Sequence, residues 1–86
     1  MKNGLIVDSY GNKHWYKNDK YHRDDGPALE FTRGTKYWFQ NGKRHRIDGP
    51  AIEWGDGSRH WYYHGKQINC FSQKEFNEFL RFIAFI

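Results

Sequence analysis

Apolar and polar residues alternate along this chain in short runs, and the whole pattern returns every 23 residues. Trp15, Trp38 and Trp61 occupy one phase of it, Gly11, Gly34 and Gly57 another, and Lys20, Lys43 and Lys66 a third. Alternation with a period of two belongs to strands with unlike faces. Pro27-Ala28-Leu29-Glu30-Phe31-Thr32 predicts one strand, and Thr35 to Gln40 predicts its partner. Arg33-Gly34 reads as a two-residue turn between them, with Tyr10-Gly11 and Asp56-Gly57 as equivalents. A second turn dipeptide follows each partner strand: Asn18-Asp19, Asn41-Gly42 and His64-Gly65. The chain then runs through Lys-x-His-Arg to the breaker Asp-Gly-Pro, which passes it to the next unit.

A repeat of this length predicts stacked copies of one supersecondary unit. The fold expected is an all-β repeat array of three stacked antiparallel β-hairpins in a twisted sheet. Its units are 4–26, 27–49 and 50–72, within a single domain spanning 1–86. Along each second strand the tryptophans point to one face; His14/Tyr16, Tyr37/Phe39 and His60/Tyr62 point to the other. The pattern does not say which face is core. After residue 72 the period changes. Ser72-Gln73-Lys74-Glu75 is a capping box, and Phe71 and Phe76 are placed to form a hydrophobic staple. Phe76, Phe79, Leu80 and Ile83 then recur at helical spacing. A capping helix over 73–85 is expected to close the end of the array. Phe82, Phe85 and Ile86 leave apolar surface beyond its single stripe.

Composition sharpens this picture. The 86 residues hold one cysteine, Cys70, so no disulfide staples the fold, and a lone thiol suits a reducing compartment. No signal peptide or membrane span is visible, which gives a cytoplasmic expectation (host cytoplasm if phage-encoded). Aromatic residues make up 20% of the chain. Each ring buries roughly 150–250 Å², so most hydrophobic burial is expected to be aromatic. The net charge of +4 concentrates in the middle unit. There Arg33, Lys36, Lys43, Arg44 and Arg46 stand against only Glu30 and Asp48.

The 23-residue unit, with Gly-x-Lys-x-Trp-Tyr and Asn-Gly-Lys, resembles MORN-type repeats, especially the variants found in antitoxin-like bacterial proteins. The longer string from Trp38 to Glu53 is similar to a repeat of small bacteriophage and large-DNA-virus proteins. The resemblance covers residues 4–71 and departs where Ile68-Asn69-Cys70-Phe71 replaces His-Arg-x-Asp. It implies a β-hairpin array, a non-enzymatic binding role and a phage origin.

His22/Arg23/Asp25 and His45/Arg46/Asp48 invite a catalytic or metal-binding interpretation. Each set offers a single His, however, and recurs at the period of the scaffold. Asp25 and Asp48 are therefore expected to cap the Gly-Pro turns, with Arg23 and Arg46 pairing nearby carboxylates such as Glu30 and Glu53. Cys70 lacks an activating base and reads as a buried or incidental thiol. No cofactor, metal or enzymatic activity is expected. Positions that differ between equivalent places include Asp19, Tyr21 and Asp24. The residues chosen for a partner surface are Arg33, Lys36, Tyr37, Arg44, Trp54, Tyr63 and His64, because Trp, Tyr and Arg dominate interface hot spots. The leading expectation is a module docking on a host or toxin protein and inhibiting it by steric occlusion. The alternative is a nucleic acid or nucleotide held by the basic, aromatic middle unit. A homodimer through the helix or an edge strand stays open.

Overall fold

A computed structural model describes residues 1–85. In chain order the described residues form β1 (Gly4–Val7), β2 (Lys13–Lys17), β3 (Lys20–Tyr21), β4 (Leu29–Glu30) and β5 (Lys36–Tyr37). There follow β6 (Phe39–Gln40), β7 (Lys43–Arg44), β8 (Ile52–Glu53), β9 (Arg59–Tyr63), β10 (Lys66–Ile68) and α1 (Gln73–Ile83). Eight strands make one antiparallel sheet in the order β1-β2-β4-β5-β8-β9-β10, with β3 also paired to β2; β6 and β7 form a separate pair. The fold is thus mostly antiparallel sheet with one C-terminal helix. No helix among the described residues is long and apolar enough to cross a membrane.

The register carries the sequence period into space. Leu29 of β4 lies opposite His14 on one side and Tyr37 on the other. Ile52 of β8, 23 residues later, lies between Tyr37 and His60 in the same way. The ladder is shorter than the predicted strands, because Trp38 separates β5 from β6. Its amide donates to the Ala51 carbonyl at 2.8 Å, and its carbonyl accepts from the His45 amide at 3.1 Å. One residue thereby hands the strand from one neighbour to the next.

Arg33-Gly34 is not a two-residue turn. The Phe31 amide donates to the Thr35 carbonyl and the Gly34 amide to the Phe31 carbonyl, both at 2.9 Å, so the loop is the triplet Thr32-Arg33-Gly34. Gly34 closes it at φ +97°, a left-handed conformation that glycine adopts without steric cost. The same bonds join Asp8 to Asn12 and Trp54 to Ser58. The second dipeptides do make two-residue turns, as at Asn41 (φ +51°) and Gly42 (φ +80°) between paired Gln40 and Lys43. Positive φ at both positions is the type I′ signature. Beyond them β3, β7 and β10 are short strands where the sequence predicted a return loop.

The molecule measures 43 × 30 × 18 Å, a slab with little interior. Its buried hydrophobic residues are Ala28, Leu29, Ala51, Ile52, Trp61 and Phe76. In a thin sheet small aliphatics reach the centre, and most rings, Trp15, Tyr37 and Trp38 among them, are half-buried around them.

Helix α1 begins where predicted. Ser72 Oγ accepts from the Glu75 amide at 3.2 Å, and the Glu75 carboxylate accepts from the Phe71 amide at 3.2 Å. The staple does not form, since Phe71 is 86% exposed while Phe76 is fully buried. The helix stops at Ile83, two residues short of the predicted end, with Ala84 as its cap. Phe82 and Phe85 are exposed as anticipated; Ile86 lies outside the described residues.

Candidate binding face

The two faces of the sheet are built differently. On the tryptophan face, the Arg23 guanidinium lies 3.8 Å from the Trp15 ring centre and that of Arg46 lies 3.9 Å from Trp38. Each arginine also donates from Nη1 to the carbonyl of the proline that opens the next unit, Pro27 or Pro50, at 3.1 Å. Asp25 and Asp48 accept from the arginine Nε atoms at 3.1 and 2.9 Å. They orient the guanidinium rather than cap the turn backbone as predicted. Arg46 closes on Glu53 at 2.9 Å, whereas Arg23 stays 3.8 Å from Glu30. A β-carbon on Gly49 would lie 2.5 Å from the Arg46 guanidinium carbon, so the glycine before each proline leaves room for this clamp.

The histidines of these segments tie one unit to the next. His22 Nδ1 accepts from the Asn41 amide and His45 Nδ1 from the His64 amide, each at 2.9 Å. Both His-Arg-Asp sets are thus engaged in the scaffold. Among the described residues no group of three or more His, Cys, Asp or Glu side chains is placed to hold a metal ion. An open groove of about 920 Å³ runs over this region, lined by Trp38, Lys43, His45 and His64 among others. The Arg23 and Arg46 heads that border it are already bonded within the fold.

The opposite face carries a run of touching rings. Tyr16 meets Tyr21 at 4.9 Å between centroids, Tyr21 meets Phe39 at 5.1 Å, Phe39 meets Tyr37 at 6.2 Å and Tyr37 meets Trp54 at 5.7 Å. Trp54 donates its indole N–H to His60 Nδ1 at 3.1 Å and remains 37% exposed. The Arg44 guanidinium bridges the Tyr37 and Tyr62 rings at 5.6 and 5.4 Å. At the loop end, Tyr10, Phe31, Arg33, Tyr37 and Trp54 line a groove of about 510 Å³. Two side-chain bonds fix its floor: Asn12 Oδ1 accepts from the Thr32 amide and Thr35 Oγ1 from the Gly55 amide, both at 3.0 Å. None of the ion pairs formed by the described residues involves Arg33.

No family model, no curated protein and no solved structure matches this chain.

Of the seven residues chosen from sequence, Arg33, Tyr37 and Trp54 come together in the aromatic groove, and Arg44 lies over the adjoining rings. Lys36 does not join them. It is paired opposite Glu30 and Glu53, on the tryptophan side of the strand. Tyr63 packs edge-on against Phe79 of the helix at 5.7 Å, and His64 stacks on His45 at 4.2 Å. Both belong to the far face. The basic cluster of the middle unit is likewise divided: Arg33 and Arg44 lie on one face, Lys36 and Arg46 on the other.

Tyr10 and Phe31 were missed as groove residues, although Tyr10 breaks the repeat opposite Arg33 and Asp56. A further set was also missed. His14 Nε2 lies 2.9 Å from Asp8 Oδ2, and its Nδ1 lies 3.1 Å from the Tyr21 hydroxyl. Bonding to His14, with help from the Asn12 and Tyr10 amides, holds the Asp8 carboxyl at about 2, below its usual range. Burial and the Tyr16 hydroxyl push Tyr21 up to about 12, the wrong direction for a nucleophile. Cys70 is half-buried, and burial with the Glu75 charge raises its pKa, which keeps it a thiol.

Proposed function

We propose that this chain is a small non-enzymatic protein-binding module, and that its sheet is a MORN-like array of three stacked β-hairpins. The observation that carries the reading is the groove between Tyr10, Phe31, Tyr37 and Trp54, with the Arg33 side chain beside it. Aromatic rings and an arginine at the edge of a preformed concavity are the composition of an interface hot spot. The segment it suits combines an apolar side chain for the rings with a carboxylate for Arg33. Support for the array comes from bonds that recur at the sequence period, such as Gly42 to the Tyr21 carbonyl and Gly65 to the Arg44 carbonyl, both at 2.8 Å. A phage origin and a host or toxin protein as the partner follow from the family resemblance. Occupying that protein's surface would inhibit it without chemistry.

The test is affinity recovery from nuclease-treated bacterial lysate, comparing the unaltered chain with Trp54→Ala, Arg33→Ala and Lys36→Ala. A stoichiometric protein lost with the first two variants and kept with the third is the expected result. Recovery that disappears on nuclease treatment would replace this reading with nucleic-acid binding. Equal loss in all three variants would remove the groove from the argument.

A further inference from the structure

Strand β1 differs from its counterparts in what covers it. Leu5, Ile6 and Val7 stand one repeat before Ala28, Leu29 and Glu30, and two before Ala51, Ile52 and Glu53. β4 is paired on both sides, by β2 and β5, and β8 by β5 and β9. β1 is paired with β2 alone and ends the sheet. Exposure follows from this. Leu29 and Ile52 are 8% and 2% exposed, whereas Ile6 is 41% exposed, and Leu5 and Val7 are about as open. The backbone tells the same story. The Ala28 and Ala51 carbonyls accept from the Trp15 and Trp38 amides of the preceding unit at 2.7 and 2.8 Å. Leu5 holds that position with no preceding tryptophan.

Natural edge strands discourage pairing with charge, proline or a bulge. Gly4-Leu5-Ile6-Val7 has none of these, although its counterparts carry Pro27 with Glu30 and Pro50 with Glu53. The opposite edge, β10, is likewise paired on one side only, by β9, but it carries Lys66, the kind of charge that discourages pairing. A head-to-tail chain of molecules would set β1 against that charged strand, whereas a head-to-head contact joins two uncharged edges and closes on itself.

We propose that a second copy of this chain completes the sheet, pairing β1 with β1 antiparallel about a two-fold axis at Ile6. Residues opposite each other in an antiparallel pair share a face, so the axis must pass at a residue rather than between two. At Ile6 it sets like against like and places Leu5 opposite the partner's Val7. Every apolar residue of the strand then gains a neighbour. Four residues of strand bury little beside the roughly 800 Å² per partner of a standard interface. The dimer is accordingly a reversible one, governed by concentration.

Sedimentation velocity over about three decades of concentration tests this. The chain is expected to pass from monomer to dimer and no further. Val7→Glu installs the residue its counterparts carry, opposite Lys13 as Glu30 is, so the monomer should keep its melting temperature. It also sets a carboxylate against Leu5 across the axis, and should weaken the dimer at least about tenfold. Directly opposed β-carbons lie about 4.5–5.5 Å apart, close to disulfide reach. Ile6→Cys in a Cys70→Ser background should therefore form covalent dimers on oxidation, and Phe82→Cys in that background should not. A monomer at every concentration would overturn the proposal. So would a dimer that survives Val7→Glu but dissolves with Phe82→Ser, or an open series of larger species.

Discussion

The indole nitrogen of Trp61 donates to the Gln73 side-chain oxygen at 2.8 Å, so the third tryptophan is held by the helix where the first two are held by arginine. One repeat after Arg46 the chain carries Asn69, which is too short for the guanidinium's role. Gln73 also donates to the Ile47 carbonyl at 3.0 Å, joining the helix to the preceding unit. Gln73→Ala should leave a buried indole N–H without an acceptor and cost about 1–3 kcal/mol. Urea unfolding followed by tryptophan fluorescence measures it.

Phe76 anchors the same helix from below. Phe76→Ala should cost about 3–5 kcal/mol, the range for emptying a fully buried aromatic site. Phe82→Ser and Phe71→Ser, at exposed positions, should change stability by less than about 0.5 kcal/mol. Thermal melts of the three variants side by side check the contrast.

Arg46 and Arg23 perform one task with unequal geometry. Lysine can neither lie flat on Trp38 nor fork between Pro50, Asp48 and Glu53. Arg46→Lys is expected to cost about 1–3 kcal/mol. Arg23→Lys should cost less, because its second carboxylate, Glu30, is 3.8 Å away rather than 2.9 Å. Denaturant midpoints at constant slope would show the order.

Asp8 and His45 both lower stability as pH falls, each in its own window. The Asp8 carboxyl is lowered from 3.8 to about 2 by its bond to His14. Its contribution is complete above 3.8 and is lost as pH falls through about 2. Asp8→Asn should therefore flatten the acid limb of melting temperature against pH in that window.

His45 is lowered from 6.5, first by burial and then by the neighbouring His64. The unfolded chain takes up this proton more readily, so stability is complete above 6.5 and declines as pH falls below it. Protonation at Nδ1 would also displace the His64 amide. His45→Gln keeps an acceptor and removes the titration. The difference between its pH–melting curve and that of the unaltered chain should open below 6.5.

What could be read from sequence was whatever one residue type enforces locally. Asn41-Gly42 requires a type I′ turn, and Ser72 with Glu75 requires a helix start; both are found. Arg33-Gly34 misled because glycine marks the left-handed position without stating how many residues precede it. Phe71 misled because a staple needs the entering side chain to fold back over the helix, and here it is 86% exposed while its amide alone engages the helix, through Glu75. The charge of the middle unit was read as one surface, yet adjacent strand residues point to opposite faces, so Lys36 and Tyr37 never belonged together. The core face could not be chosen, since both faces carry rings and both bury residues, Leu29 and Ile52 on the Tyr37 side and Trp61 on the other. Asn3 illustrates the rest. It accepts from the Asn18 amide at 2.9 Å, standing in for the histidine that serves later units, a substitution no local pattern announces.

The three-residue loops have a consequence for design and for variation. Each is closed by a glycine at positive φ and pinned by its own backbone bonds, to which only the third adds a bond from its middle residue, Asp56 Oδ1 accepting from the Ser58 amide at 2.9 Å. Those middle residues are Tyr10, Arg33 and Asp56. Successive loops are separated by two strand spacings, roughly 10 Å. The edge of the slab therefore works as a short row of addressable positions, written here as ring, cation and anion. Rewriting that row should change the chemistry this edge presents while leaving the fold as it is.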